Sequence, residues 1–141
     1  MKIIKNRVRR DAMEIGLKGR AETVVDHSNT AKFAGSGELD VFATPNMTAL
    51  MEQAAAASVA PFLEEGQGTV GTKLCISHDA ATPIGMRVWA EAELTEIDRR
   101  RLVFSVTAYD ECGVIGKGTH ERFIIQNEKF LKKVYEKGGA K

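Results

Sequence analysis

Glu52 is the only ionisable side chain between Asp40 and Glu64, and it stands in a run of small and apolar residues, FATPNMTALMEQAAAASVAP (42–61). A carboxylate so placed either sits at one exposed edge of its element or is held inside to move a proton or attack an electrophile, because an unpaired buried charge is costly. His78 closes a period-two run, on the same face as Val70, Leu74 and Ile76 by alternation, so its imidazole should look toward whatever packs on that face. A lone histidine on an apolar face is commonly a satisfied core residue. A carboxylate offered from the opposite layer makes the pair a site candidate, since imidazole titrates near neutrality. Thr44 precedes Pro45 at the start of the apolar run, where its hydroxyl is a natural helix cap. His120 and Arg122 share one face of the last strand, as exposed residues or as an anchor for an anionic ligand.

The elements that must carry these residues follow from periodicity. The spacing predicts a helix over 44–60, with Pro45 at its first position and Pro61 disfavouring helical geometry at Ala60. Its roughly 16 residues make a rod about 24 Å long. The rod is apolar or small nearly all round, the mark of a buried helix. A first strand is predicted over 15–26, and a loop over 27–43 with Gly35-Ser36-Gly37 as its turn. Beyond the turn at 64–68, alternation predicts strands over 69–81, 86–97, 102–109 and 114–126, joined by links short enough for antiparallel neighbours. A short basic helix is expected over 127–137, stopped by Gly138-Gly139. A helix apolar nearly all round must be wrapped by the sheet. The fold class is therefore α+β, a hot-dog fold: a curved antiparallel β-sheet around one long central helix. Its open sheet edges call for cover, which edge-to-edge pairing of two copies would give.

Composition sets the outer limits. The 141 residues are 43% hydrophobic and 28% charged, with a net charge of +1, as expected of one globular domain without an electrostatic case for nucleic acid. No apolar run approaches the length of a membrane-spanning helix. The first ten residues carry five positive charges, and 1–13 is read as a basic, solvated tail before a single domain over 14–141. With no apolar stretch of signal-peptide length and no metal-ligand spacing at Cys75 and Cys112, a reducing cytoplasm with two free thiols is the expectation. His120-Glu121 lacks the second histidine of a zinc-protease helix, and no phosphate loop, dinucleotide fingerprint or nucleophile elbow is present.

Three runs, VFATPNMTALMEQA (41–54), GTVGTKLCISHDAATPIGM (68–86) and GKGTHERFIIQNEKF (116–130), resemble the fluoroacetyl-CoA thioesterase family of single-domain hot-dog proteins. The resemblance covers roughly residues 14–134. It implies hydrolysis of a short acyl-CoA by a homodimer or tetramer, with no metal or organic cofactor besides the coenzyme A of the substrate. No nucleic-acid or membrane partner is implied. The family's threonine, glutamate and histidine fall on Thr44, Glu52 and His78, its active-site glycine on Gly71 and its arginine on Arg122, with sites near the dimer interface and the CoA chain between subunits. On that basis Glu52 would attack the thioester or activate water. His78 would orient it or shuttle a proton, and Thr44 and the Gly71 N–H would face the developing oxyanion. Arg122 would hold an anionic group or brace Glu52. The enzyme for the fluorinated substrate carries a phenylalanine lid before the helix. Here Glu38 stands at that register, and Pro45-Asn46 replace a Gly-Phe pair, so another short or aromatic acyl group is expected. The alternative is a non-hydrolytic acyl-CoA or small-ligand binding module, and a third reading is a dehydratase or isomerase that leaves the thioester intact.

Overall fold

The computed structural model describes residues 13–139. Apart from Met13, the basic tail at 1–13 lies outside the described residues. In chain order the elements are β1 (Lys18–Val24), α1 (Ala31–Ala34), α2 (Thr44–Val59), a 3-10 turn (Ala60–Phe62), β2 (Gln67–His78), β3 (Arg87–Asp98), β4 (Arg101–Asp110), β5 (Gly113–Gln126) and α3 (Asn127–Lys137). The strands form one antiparallel sheet in the order β1-β3-β4-β5-β2, curled over α2 as in the hot-dog fold expected from the sequence. Among the described residues β1 and β2 are therefore the sheet's edges, and β2 has a partner on one side only.

The core lies between α2 and β1, β3 and β4. Met47, Leu50, Met51, Ala54, Ala55 and Val59 of the helix meet Val88, Ala90, Leu94, Leu102, Phe104 and Val106 of the sheet. Full burial of each large apolar side chain contributes about 1.5–3 kcal/mol. The approach is closest at Gly19 of β1. A Cβ there would run into the Ala54 carbonyl and come within 2.8 Å of the Ser58 amide nitrogen, so only glycine lets the strand lie against the helix backbone.

Four expectations change in detail. The sheet covers one side of α2 only: Gln53 and Ala57 are exposed and Glu52 and Ala56 half-buried, because β2 curls past the helix with few contacts to it. Ala43, with no side-chain bond, holds the cap position, and Thr44 is the first helical residue, its hydroxyl turned elsewhere. The segment 27–43 is more ordered than a loop. Thr30 caps the single turn α1 and accepts a hydrogen bond from the Phe33 N–H, and bridges Thr30–Phe42 and Val41–Pro83 tie the segment to its surroundings. The fourth change is a β-bulge between Gly71 and Lys73, which inserts a residue and reverses the inside–outside alternation. Val70 pairs with Phe123 on the outer face, whereas Gly71 pairs with Arg122 and Leu74 with His120 on the inner one. Alternation thus groups His78 correctly with Leu74 and Ile76, and Val70 wrongly with them.

Candidate active site

The predicted residues gather in two clusters along α2. At its N-terminus the Thr44 Oγ1 lies 2.7 Å from the His78 Nδ1, at the end of β2. They share the wall of a cavity of about 330 Å³ with Ala31, Val41, Phe42 and Ala80. Burial lowers the pKa of His78 below its ordinary 6.5, opposed by the Ala80 carbonyl and the Asp79 carboxylate. Its Nε2 is shut away from solvent and makes no well-formed hydrogen bond among the described residues. A neutral imidazole against a hydroxyl, beside the positive end of a helix, is suited to hold or relay a proton where negative charge develops.

Two turns further along α2, the Glu52 carboxylate reaches toward β2 and β5. Arg122 Nη1 lies 3.7 Å from its Oε2, with the arginine side chain 10% and the glutamate 44% exposed. The guanidinium is fixed from behind: Nε donates to the Thr69 Oγ1 at 2.8 Å and Nη2 to the Thr69 carbonyl at 3.0 Å. Burial disfavours the charged form of Arg122, and Glu52 opposes that. His120, 1% exposed, lies alongside with its Nε2 3.1 Å from Arg122 Nη1. A Cβ on Gly71 would come within 2.7 Å of the Glu52 Oε2, 3.1 Å of the His120 ring and 3.4 Å of Arg122 Nη1, so these groups converge on the space that glycine leaves. A second cavity, of about 580 Å³, runs from Arg122 past Thr69 to Ala56, Ala60 and Leu63.

A carboxylate braced by a buried cation, a hydroxyl–imidazole pair and a cavity beside each suit attack on an activated carbonyl. Comparison with known proteins assigns the chemistry. The model of the fluoroacetyl-CoA-specific thioesterase family matches residues 25–128. A fluoroacetyl-CoA thioesterase of Streptantibioticus cattleyicolor is 42% identical over 137 residues, covering 93% of this chain and 99% of that protein. The chain belongs to this family.

It is accordingly an acyl-CoA thioester hydrolase. A solved fluoroacetyl-CoA thioesterase superposes with a TM-score of 0.84 at 41% identity, over 90% of this chain and 98% of that one. A hot-dog-like protein from Thermanaerovibrio acidaminovorans superposes with a TM-score of 0.83 at 24% identity over 94% and 98%, a likeness of fold alone. Among the described residues there is no grouping of three or more His, Cys, Asp or Glu side chains able to hold a metal ion, and no helix long and apolar enough to cross a membrane.

In this member of the fluoroacetyl-CoA-specific thioesterase family, one chain brings Thr44 to His78, and Glu52 to Gly71 and Arg122. It does not bring Glu52 to His78, the pairing expected from alternation. Eight helical steps take Thr44 to Glu52, about 12 Å along the axis, and the imidazole beside Glu52 is that of His120. Sequence reasoning placed His120 and Arg122 on one face of β5 and left open whether that face was outside. Both are buried, His120 at 1% and Arg122 at 8% exposure. The signal that could have drawn them in was the glycine opposite, since Gly71 pairs with Arg122 across the ladder. Glu38 is exposed, as are Phe33 and Leu39, and none of the three lines the cavity at Thr44, whereas Phe42 does.

Proposed function

We propose that the protein hydrolyses a short acyl-CoA thioester as a homodimer, at a site where Thr44 and His78 of one subunit meet Glu52, Gly71 and Arg122 of the other. The hydrogen bond between Thr44 and His78 carries this reading. It sits at a helix N-terminus beside a cavity of acyl size, too far along α2 for Glu52 of the same chain to share one carbonyl. β2 is an open edge, and two copies joined antiparallel through it run the His78 end of one strand toward the Gly71 half of the other. The CoA chain would lie between subunits, along the cavity from Arg122 to Leu63.

In this reading Glu52 delivers the attack on the thioester carbonyl, either by deprotonating a water that attacks, or as the nucleophile itself, the acyl–glutamate anhydride then being cleaved by water to regenerate the carboxylate. The Gly71 N–H faces the oxyanion, and the Thr44 hydroxyl, its one hydrogen given to His78, lies beside it as a proton relay. His78, kept neutral by burial, accepts the Thr44 hydrogen bond at Nδ1 and carries its proton on Nε2. The tetrahedral intermediate expels the CoA thiolate, a fair leaving group that takes up the proton given up by the hydrolytic water and departs as thiol. Metal and organic cofactors have no part in this scheme, and the location proposed is the cytoplasm. Phe33, Glu38 and Leu39 are exposed and do not line the acyl cavity, which favours an acyl group other than fluoroacetyl.

Subunit mixing tests the arrangement. Impaired His78→Asn and Glu52→Gln homodimers, unfolded and refolded together, should rise above the activity of either alone, because one site of each mixed dimer then carries both lesions and the other none. No recovery, with mixed dimers shown to form, would place the whole site in one chain. An acyl-CoA that raises the melting temperature without releasing thiol would turn the reading to a binding module.

A further inference from the structure

His120 has no part in the scheme above, yet it is the most enclosed titratable side chain beside Glu52, and its surroundings permit one protonation state. Its Nδ1 lies 2.8 Å from the Lys73 carbonyl, which only accepts, so Nδ1 carries a hydrogen. Its Nε2 lies 3.1 Å from Arg122 Nη1, and a guanidinium only donates, so Nε2 carries a lone pair. Both contacts are met by the neutral Nδ1–H tautomer alone. Burial favours that neutral form, as does the Arg122 charge; the Lys73 carbonyl, Glu52 and Glu121 pull the other way. Phe104 of β4 packs against the ring, 6.1 Å between centroids. Lys73 lies just past the β2 bulge, so the irregularity that turns Gly71 inward also supplies the carbonyl that fixes the tautomer.

Arg122 has its Nε and Nη2 on Thr69. One N–H of Nη1 goes to His120, which leaves the other for the Glu52 side, where Oε2 is 3.7 Å away. We propose that His120 is a positioning residue for thioester hydrolysis: locked as the Nδ1–H tautomer by the Lys73 carbonyl, it fixes with its Nε2 lone pair the rotation of the Arg122 fork that sets Glu52 over Gly71. The inference rests on the reading that Glu52 delivers the attack. An acceptor is what the position requires. A protonated imidazole would set a second cation against Arg122, and the Nε2–H tautomer would set two donors head to head.

The test compares His120→Gln, which keeps an acceptor within reach of Arg122, with His120→Phe, which keeps a ring and offers none. Initial rates with acetyl-CoA and propionyl-CoA are read as kcat and KM beside Glu52→Gln, with melting temperatures as the check on folding. His120→Phe should lose about tenfold or more in kcat with KM within about twofold, the loss expected of one charge-assisted hydrogen bond. His120→Gln should stay within about threefold of the wild type. Equal losses in the two variants at equal melting temperature would overturn the inference and leave His120 a packing residue. Should His120→Phe not fold, ¹⁵N spectra of histidine-labelled wild-type protein decide. A neutral ring protonated at Nδ1 at pH 7 supports the proposal, and an Nε2–H or charged ring overturns it. Full activity in Glu52→Gln would remove the underlying reading instead, a separate outcome.

Discussion

Gly19 and Gly71 both face α2, one from each edge strand, and they serve opposite ends. On the β1 side the absent side chain admits backbone. Gly19 lies against the Ala54 carbonyl and the Ser58 N–H, in the part of the molecule where the helix buries its methionines, leucine and alanines. On the β2 side the absent side chain leaves space among mobile ends, the Glu52 carboxylate, the His120 ring and the Arg122 fork. One side of the helix is close-packed and sets stability. The other carries a bulge, and its polar groups converge on the space that the glycine leaves. The same residue type at two similar-looking strand positions thus separates structure from function.

The largest effect that would break this division is on Glu52. Glu52→Gln should cost roughly 10²-fold or more in kcat, with little change in melting temperature, since its side chain is 44% exposed. At the other cluster, Thr44→Val and His78→Asn should each cost about tenfold to a hundredfold in kcat, measured by thiol release, and a double variant should lose little more than the worse single one. The glycines sharpen the comparison directly. Gly71→Ala should fold with a near-normal melting temperature and lose about tenfold in kcat, because its Cβ displaces Glu52. Gly19→Ala should lose roughly 1–3 kcal/mol in denaturant unfolding and keep its activity per folded molecule, because its Cβ meets backbone that cannot yield. The smallest effect is on pH. Burial holds His78 and His120 below the ordinary 6.5, so the stability that their neutral forms contribute is complete above about pH 6.5 and is lost as pH falls below it. The acid limb of kcat against pH should likewise lie below 6.5, with His78→Asn removing its share.

Much of the fold was legible in the chain. Period-two runs located the last four strands to within three residues, and Asn127–Lys137 matches its helix at both ends. The segment before α2 was not legible as ordered, because a single turn of helix and two isolated bridges leave no periodic trace. The residues of the two candidate clusters stood out singly and not in their grouping. Glu52 stood out because nothing near it is charged. Its pairing with His78 does not form within one chain, because His78 meets the helix at Thr44, about 12 Å along the axis from Glu52. Alternation along β2 carries no information on position along the helix, and the one-residue bulge misplaces only Val70. Thr44 was read as a cap because a hydroxyl before Pro45 fits that role, whereas tertiary packing gives it to His78. His120 was left on an undecided face because Gly116 and Gly118 blur the pattern of β5, and its burial comes from α2 and β4, distant in sequence.

Free-thiol release from acetyl-, propionyl-, butyryl-, fluoroacetyl- and phenylacetyl-CoA, run for the wild type beside Glu52→Gln, bears most directly on the central claim. Turnover of at least one short acyl-CoA other than fluoroacetyl-CoA, reduced roughly 10²-fold or more in the variant, is the predicted result. Thiol release undiminished in Glu52→Gln would contradict the account, and so would release from fluoroacetyl-CoA alone.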